Sequence, residues 1–343
     1  MYPLEHNLES GLSERLSRRS FLRGIFLGGV ALAAAGAADL WVESGARLPP
    51  LRERVMFGAF VPGIPNLARP LDELESALGR RVGIVSWYCD WQTIPGDGAE
   101  QQLSLDGRRP LLVAWEPNGI TGEAVLAGTH DAYLKQFASW ARTFGAPLFL
   151  RPWPEMNASW SSWQPTTSRA TLMNGPAQFI AAWRHVFTLF RESGATNVHF
   201  VFNPDVTDTA SDTAVTACWP GEAYVDVLGL DGFNWGGREW TGFVEIFEGM
   251  YGQLTELHPT APVWVCECGC PDIATSPSGP SKAQWLGDML NFRGFPRLTA
   301  ISWFNADKER DWRLESSADS LRVARRLLPE ARLGPAVVSR VAK

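Results

Sequence analysis

Short apolar runs recur along this chain, separated by longer stretches in which apolar residues return at every third or fourth position. The runs are Val55–Phe60, Val82–Trp87, Pro110–Trp115, Leu148–Trp153, Val198–Asn203, Val225–Asp231, Val263–Glu267 and Leu298–Phe304. Most are continuously apolar, as strands buried on both faces must be. Helical periodicity marks Leu71–Leu78, His130–Phe144, Gln178–Ser193, Phe243–Leu257, Ser281–Phe292 and Ala318–Leu328, the last with Arg322, Arg325 and Arg326 on its wet side. Eight strands alternating with helices predict an α/β fold, a single-domain (β/α)8 barrel over 51–343. A doubly wound open sheet is the rival, but no Gly-rich phosphate turn follows the first strand. Ile273–Ser281 reads as a loop.

The polar and aromatic surprises gather at the C-terminal ends of these runs. Trp87-Tyr88-Cys89-Asp90, Trp115-Glu116-Pro117-Asn118, Asn203-Pro204-Asp205 and Trp303-Phe304-Asn305 all stand there. In such barrels that end carries the active site. Arg151-Pro152-Trp153-Pro154-Glu155-Met156-Asn157 ends the fourth run, and Glu267-Cys268-Gly269 ends the seventh. Two carboxyls held about 5–5.5 Å apart across a sugar ring are what retaining glycoside hydrolysis needs. One must be protonated at rest and the other ionised. Glu155, among Trp153 and Trp160, suits a carboxyl raised by desolvation, while Arg151 is the nearest cation to keep Glu267 anionic. Strand alternation predicts that Arg151, Trp153 and Glu155 face the barrel mouth together. It also pairs Glu267 with Val265, and Asp231 with Phe233.

Composition narrows the partners. A net charge of −6 without a basic stripe argues against nucleic acid, and 16 tryptophans suit a site that stacks on sugar faces. Five cysteines cannot all pair internally. Cys266, Cys268 and Cys270 are expected on the strand face opposite Glu267, too far apart for a compact zinc site. Buried thiols are expected, with one disulfide through Cys218 as the alternative. No cofactor and no divalent metal is required by the chemistry. Ser17-Arg18-Arg19-Ser20-Phe21-Leu22-Arg23 precedes a Gly/Ala-rich apolar stretch from Gly24 to Ala38, shorter than the ~20 residues of a membrane span. This predicts a twin-arginine signal over 1–38, then a linker over 39–50, and membrane contact only through the signal.

Gly128-Thr129-His130-Asp131-Ala132-Tyr133, Arg151 to Asn157, Trp160 and Trp163 come in one order along the chain. Trp219 to Asp226, Leu228 to Trp235, Glu267-Cys268-Gly269, Trp303-Phe304 and Lys308 to Arg313 continue it. In that order and spacing the chain resembles glycoside hydrolase family 26, which contains β-mannanases and belongs to the (β/α)8 retaining hydrolases. The resemblance implies Glu155 as acid/base and Glu267 as nucleophile. It also implies Trp303 as the platform under the sugar, with Asn234 and Trp235 near it. Trp160 and Trp163 would line the cleft, and Trp115, Trp87 and Asp90 match strand ends of the family. Two residues depart from its pattern: Pro154 stands where members carry His, and Phe233 where they carry Tyr. The second departure removes a hydroxyl directed at the nucleophile, a charged hydrogen bond of about 1.5–3 kcal/mol.

The expectation is an exported retaining hydrolase of a β-linked polysaccharide, mannan by resemblance, with Trp303, Trp235, Asn234, Trp160, Trp153, Arg151 and Trp115 on the substrate. A non-catalytic polysaccharide-binding or assembly protein and a transglycosylase are the rivals.

Overall fold

The computed structural model describes residues 48–96, 98–105, 107–206, 212–272 and 279–331. The predicted signal, most of the linker and most of the 273–281 loop lie outside the described residues. Eight parallel strands close into a barrel: β1 Met56–Phe60, β2 Ile84–Asp90, β3 Leu111–Glu116, β4 Leu148–Pro152, β5 Val198–Phe202, β6 Val227–Phe233, β7 Val263–Gly269 and β8 Leu298–Phe304. Each pairs with the next in sequence, and β8 pairs with β1.

Helices cover the outside: α1 Leu51–Arg54, α2 Arg69–Leu78, α3 Ala99–Leu103, α4 Gly122–Leu126, α5 Asp131–Phe144, α6 Gly175–Glu192, α7 Phe243–Leu257, α8 Lys282–Asn291 and α9 Ala318–Leu327. In α5, Leu134, Phe137, Ala138 and Ala141 form the buried stripe that its periodicity predicted. Arg322, Arg325 and Arg326 of α9 are exposed as expected. Ser281 caps α8 by accepting from the Gln284 N–H, and the Gln284 side chain returns a bond to the Ser281 N–H. The elements that periodicity missed, α1, α3 and α4, are four or five residues long, too short to show a face. The last residues of the expected linker are tied to the barrel: Arg293 donates to the Leu48 carbonyl at 2.8 Å, and Pro50 is buried.

Two cores result. Leu, Phe and Trp side chains between strands and helices form the outer one. Ile84, Leu112, Phe149, Val201, Val227, Trp264, Cys266 and Ala300 fill the barrel interior. That inner layer fixes parity for every strand, because side chains alternate between axis and outside. Parity decides which residues reach the top of the barrel.

The close approach of β1 and β2 depends on Gly58, where a Cβ would stand 2.6 Å from the Ile84 Cβ and 2.8 Å from its carbonyl oxygen. Gly58→Ala is therefore expected to destabilise the chain by about 1–3 kcal/mol, read as a lowered calorimetric unfolding midpoint. An unchanged midpoint would show that these strands part freely.

Candidate active site

Above the inner layer, the axis-facing residues turn polar. A cavity of about 800 Å³ opens at the C-terminal end of the strands. Phe60, Tyr88, Glu116, Glu155, Asp205, Phe233, Glu267 and Phe304 line it, with Trp160, Trp235 and Trp312 from the loops. A second cavity of about 270 Å³ adjoins it and leads past Asn118, Pro154, Ser161, Ser162 and Trp163. Tyr88, Glu116, Glu155, Trp160 and Glu267 border both. The two glutamates singled out by sequence thus stand together where the cavities meet.

Glu155 is placed by a turn. Strand β4 ends at Pro152, and Trp153 (φ 49°) and Glu155 (φ 51°) both take left-handed backbone conformations. Such strain in bulky residues persists only where surroundings enforce it. Here the Glu155 N–H donates to the Asn203 carbonyl at 2.9 Å, and the Trp163 indole N–H donates to the Pro154 carbonyl at 2.9 Å. Asn157 clamps β4 to β5, accepting from the Asp205 N–H at 2.9 Å and donating to the Asp205 carbonyl at 2.8 Å. The Trp160 indole donates to Glu155 Oε2 at 3.0 Å. Burial, then the negative charges of Glu267 and Asp205, push the Glu155 carboxyl up to about 8. The Trp160 hydrogen bond and the Arg151 charge pull the other way.

Glu267 is placed by a bulge. Trp264 and Cys266 both face the barrel interior, so strict alternation would turn Glu267 outward. The register shifts instead: Leu230 pairs with Val265 and Asp231 with Glu267 on one side, and Ile301 pairs with Val265 and Trp303 with Cys268 on the other. One extra residue in β7 re-aims Glu267 at the cleft, the usual work of a bulge. This corrects two expectations. Glu267 does not share its face with Val265, which packs in the outer core, and Cys266 and Cys268 lie on different sides of the strand.

Beneath the glutamates lies a fully buried charge network. Arg151 Nη2 donates to Glu267 Oε1 at 2.6 Å, while Nη1 donates to Asp231 Oδ2 at 2.9 Å and to Asn203 Oδ1 at 2.7 Å. One guanidinium thus faces two carboxyl groups, and burial, against the pull of Arg151, pushes the Asp231 carboxyl well above the ordinary range. The anion that Arg151 stabilises at Glu267 is one of the charges that hold the proton on Glu155.

Several expected substrate contacts are corrected by parity. Ser302 and Phe304 face the axis, so Trp303 points outward, fully buried against Trp285 of α8, and its indole donates to the Trp312 carbonyl at 2.8 Å. Trp115 points outward as well, stacked on Trp91 at 4.3 Å and donating to the Tyr133 hydroxyl at 3.2 Å. The left-handed turn swings Trp153 away from the mouth into the same outer layer, against Trp91 and Phe179. Asn234 is fully buried; its Oδ1 accepts from the Gly236 and Thr241 N–H groups, so it shapes the loop after β6. Arg151 is buried beneath Glu267 and holds side chains. Trp235 and Trp160 line the main cavity, and Trp163, mostly buried, lines the smaller one.

The residues that sequence reasoning missed stand one position along from those it chose. Tyr88 follows Trp87, Glu116 follows Trp115 and Phe304 follows Trp303. Setting the parity of each strand from its lower, wholly apolar residues was the signal that would have found them. Tyr88 borders both cavities together with Glu267; burial, then that carboxylate's charge, push its phenol well above the ordinary range. Burial, and then the charge of Glu267 against the pull of Asn118, raises Glu116. Phe60, Phe233, Trp235, Phe304 and Trp312 form one aromatic wall, with Phe60 stacked on Phe304 at 4.8 Å and Trp235 edge-on to Trp312 at 5.5 Å. All five cysteines are buried thiols. Among the described residues no group of His, Cys, Asp and Glu is arranged to hold a metal ion, and no helix is long and apolar enough to cross a membrane.

Comparison with known proteins places this geometry. Residues 122–266 match the family model described as Glycosyl hydrolase family 26. Endoglucanase H of Acetivibrio thermocellus is 29% identical over 277 residues, which are 77% of this chain and 29% of that protein. Mannan endo-1,4-beta-mannosidase A and B of Caldalkalibacillus mannanilyticus is 31% identical over 91 residues, 26% of this chain and 17% of that protein. The chain therefore spans less than a third of either relative's length. A mannanase of Bacillus subtilis superposes with a TM-score of 0.58 at 16% identity, over 85% of this chain and 90% of that one. A β-mannanase of Bacteroides ovatus gives 0.56 at 17% identity, over 80% and 88%. At these identities the structural likeness shows the shared barrel.

Arg151→Met leaves Asp231 and Glu267 buried without their cation, a loss expected to cost about 3–5 kcal/mol of stability. Urea unfolding at neutral pH checks it, and the deficit should shrink in acid as the carboxyls take up protons. An Arg151→Met chain as stable as the parent would show that the buried carboxyls do not need this cation.

Proposed function

We propose that this chain, which belongs to glycosyl hydrolase family 26, is a retaining endo-β-glycosidase acting on a neutral β-linked polysaccharide. The observation that carries the reading is the split between two glutamates at one cavity junction: Glu155 held protonated up to about 8, and Glu267 bonded to a buried guanidinium. Near neutral pH, Glu155 gives its proton to the leaving glycosidic oxygen as Glu267 attacks the anomeric carbon. Forming the glycosyl ester removes the charge of Glu267, one of the influences that hold Glu155 up. Glu155, now ionised, takes a proton from the incoming water, and the sugar leaves with its configuration retained.

Three features support the substrate class. The aromatic wall offers flat faces to sugar rings. The charged lining of the main cavity is acidic, with Glu116, Asp205, Asp307 and Glu309 besides the catalytic pair, and Lys308 is paired with Glu309 at 2.9 Å. Such a field repels uronic acids and leaves neutral glycans. Cavities on both sides of the pair accommodate sugars before and after the scissile bond, which suits endo cleavage. Between glucan and mannan, the relative matched over 77% of this chain is named an endoglucanase, whereas the mannosidase matches over 26%. β-Glucan is therefore the first substrate to try and β-mannan the second. The Arg18-Arg19 leader supports export of the folded enzyme.

The test is to incubate the chain with mixed-linkage β-glucan, β-mannan and xylan and to read products by mass spectrometry and their anomers by NMR. Oligosaccharides of retained configuration are expected, with Glu267→Ala and Glu155→Ala each at least about 10³-fold slower. The rate should fall as pH rises through about 8, where Glu155 gives up its proton. Tight binding to one polymer without cleavage would favour a polysaccharide-binding protein instead.

Trp160→Phe tests the acid separately. Without the indole hydrogen bond that lowers it, Glu155 should hold its proton to higher pH, and the basic limb of the rate profile should move upward from about 8. An unmoved limb would show that another donor serves that oxygen.

A further inference from the structure

Glu267 must attack from one orientation, and Arg151 holds only one of its two oxygens, through a single bond to Oε1. A carboxylate with one donor can still pivot; a second donor fixes its plane. Phe233, the aromatic residue beside it on β6, has no hydroxyl to give.

We propose that Tyr88 is a positioning residue for the nucleophile, its phenol donating to the Glu267 carboxylate from β2 and completing the hold that Arg151 begins. The inference rests on the hydrolase reading of the same site. Tyr88 is the one exposed position of a strand that is otherwise buried up to its last residue, with 38% of its surface open at the cleft wall. It borders both cavities at the junction that holds Glu155 and Glu267. Its aim is fixed by packing: the ring stands edge-on to Phe60, with centroids 5.2 Å apart at 87°, and Phe60 is stacked in turn on Phe304. The strand register sets Tyr88 level with Arg151 across β3, since Tyr88 pairs with Ala114 and Ala114 with Arg151. Burial and the adjacent carboxylate keep the phenol hydroxyl protonated, so it remains a donor throughout the working pH range.

The experiment uses the full chain with tyrosine labelled at Cζ by ¹³C, of which there are 5. The Tyr88 resonance is assigned by its loss in Tyr88→Phe, a change that removes a single oxygen and whose fold is checked by near-ultraviolet circular dichroism. At neutral pH this resonance is expected to move in Glu267→Ala. On glucan or mannan, Tyr88→Phe should lower kcat about 10- to 100-fold, the worth of a hydrogen bond to a charged group, with KM nearly unchanged. The acidic limb of its rate profile should move to higher pH, because a carboxylate that loses a donor holds its proton more tightly. Returning a hydroxyl in Tyr88→Phe/Phe233→Tyr should recover part of kcat. Hydrolysis by the parent chain with an unmoved Tyr88 resonance, and with parental kcat and acidic limb in Tyr88→Phe, overturns the proposal and leaves the hydrolase standing. A moved resonance in a chain that cleaves nothing supports the contact and overturns the hydrolase.

Discussion

The buried guanidinium of Arg151 is the interaction on which the site depends. It lies under the barrel mouth, fully enclosed, and reaches β5, β6 and β7 at once through Asn203, Asp231 and Glu267. A cation so placed is tolerable only because two carboxylates meet it, and the carboxylates are tolerable only because it is there. Three strands therefore agree on one geometry or all suffer for it. Glu267 inherits its position from an arrangement that the fold already needs.

Much of this was legible in the sequence, and the reasons it was legible are local. Continuous apolar runs such as Val263–Val265 can only be strands covered on both faces, so the barrel followed from periodicity. Glu155 and Glu267 stood out as a pair of glutamates delivered by the fourth and seventh runs, with Arg151 close by in sequence to the first. The ion pair with Arg151 followed from needing a cation near an anion in a dry place. What failed was the assumption of unbroken alternation. It broke at Trp153, where the strand stops and the backbone turns left-handed, and at Cys266, where one extra residue is inserted. Neither event has a marker in a single sequence, since no glycine announces either.

A different slip explains the tryptophans: alternation holds there, but parity was not set from the apolar residues below. Trp87, Trp115 and Trp303 drew attention because large aromatics at strand ends suggest a sugar platform, yet each faces the helices and is buried there. Their neighbours Tyr88, Glu116 and Phe304 take the mouth. The two roles are linked, because Trp303 holds the Trp312 carbonyl and Trp312 stands in the cleft wall. The outer aromatic layer thus acts as the rigid backing of the inner one, and rigidity behind a binding surface is what keeps its geometry exact enough for chemistry.

The charge network has a consequence for the reaction cycle as a whole. In the double displacement proposed above, one glutamate gives up a negative charge as the other takes one on. Under that proposal the ester at Glu267 and the proton lost from Glu155 offset each other, so the charge summed over the pair is unchanged. Each half of the proposed double displacement would move charge across the mouth without adding to it or removing it. The surrounding protein would then meet the same total charge before and after each step. Water would enter such a site as the second reactant, with no further task of balancing charge.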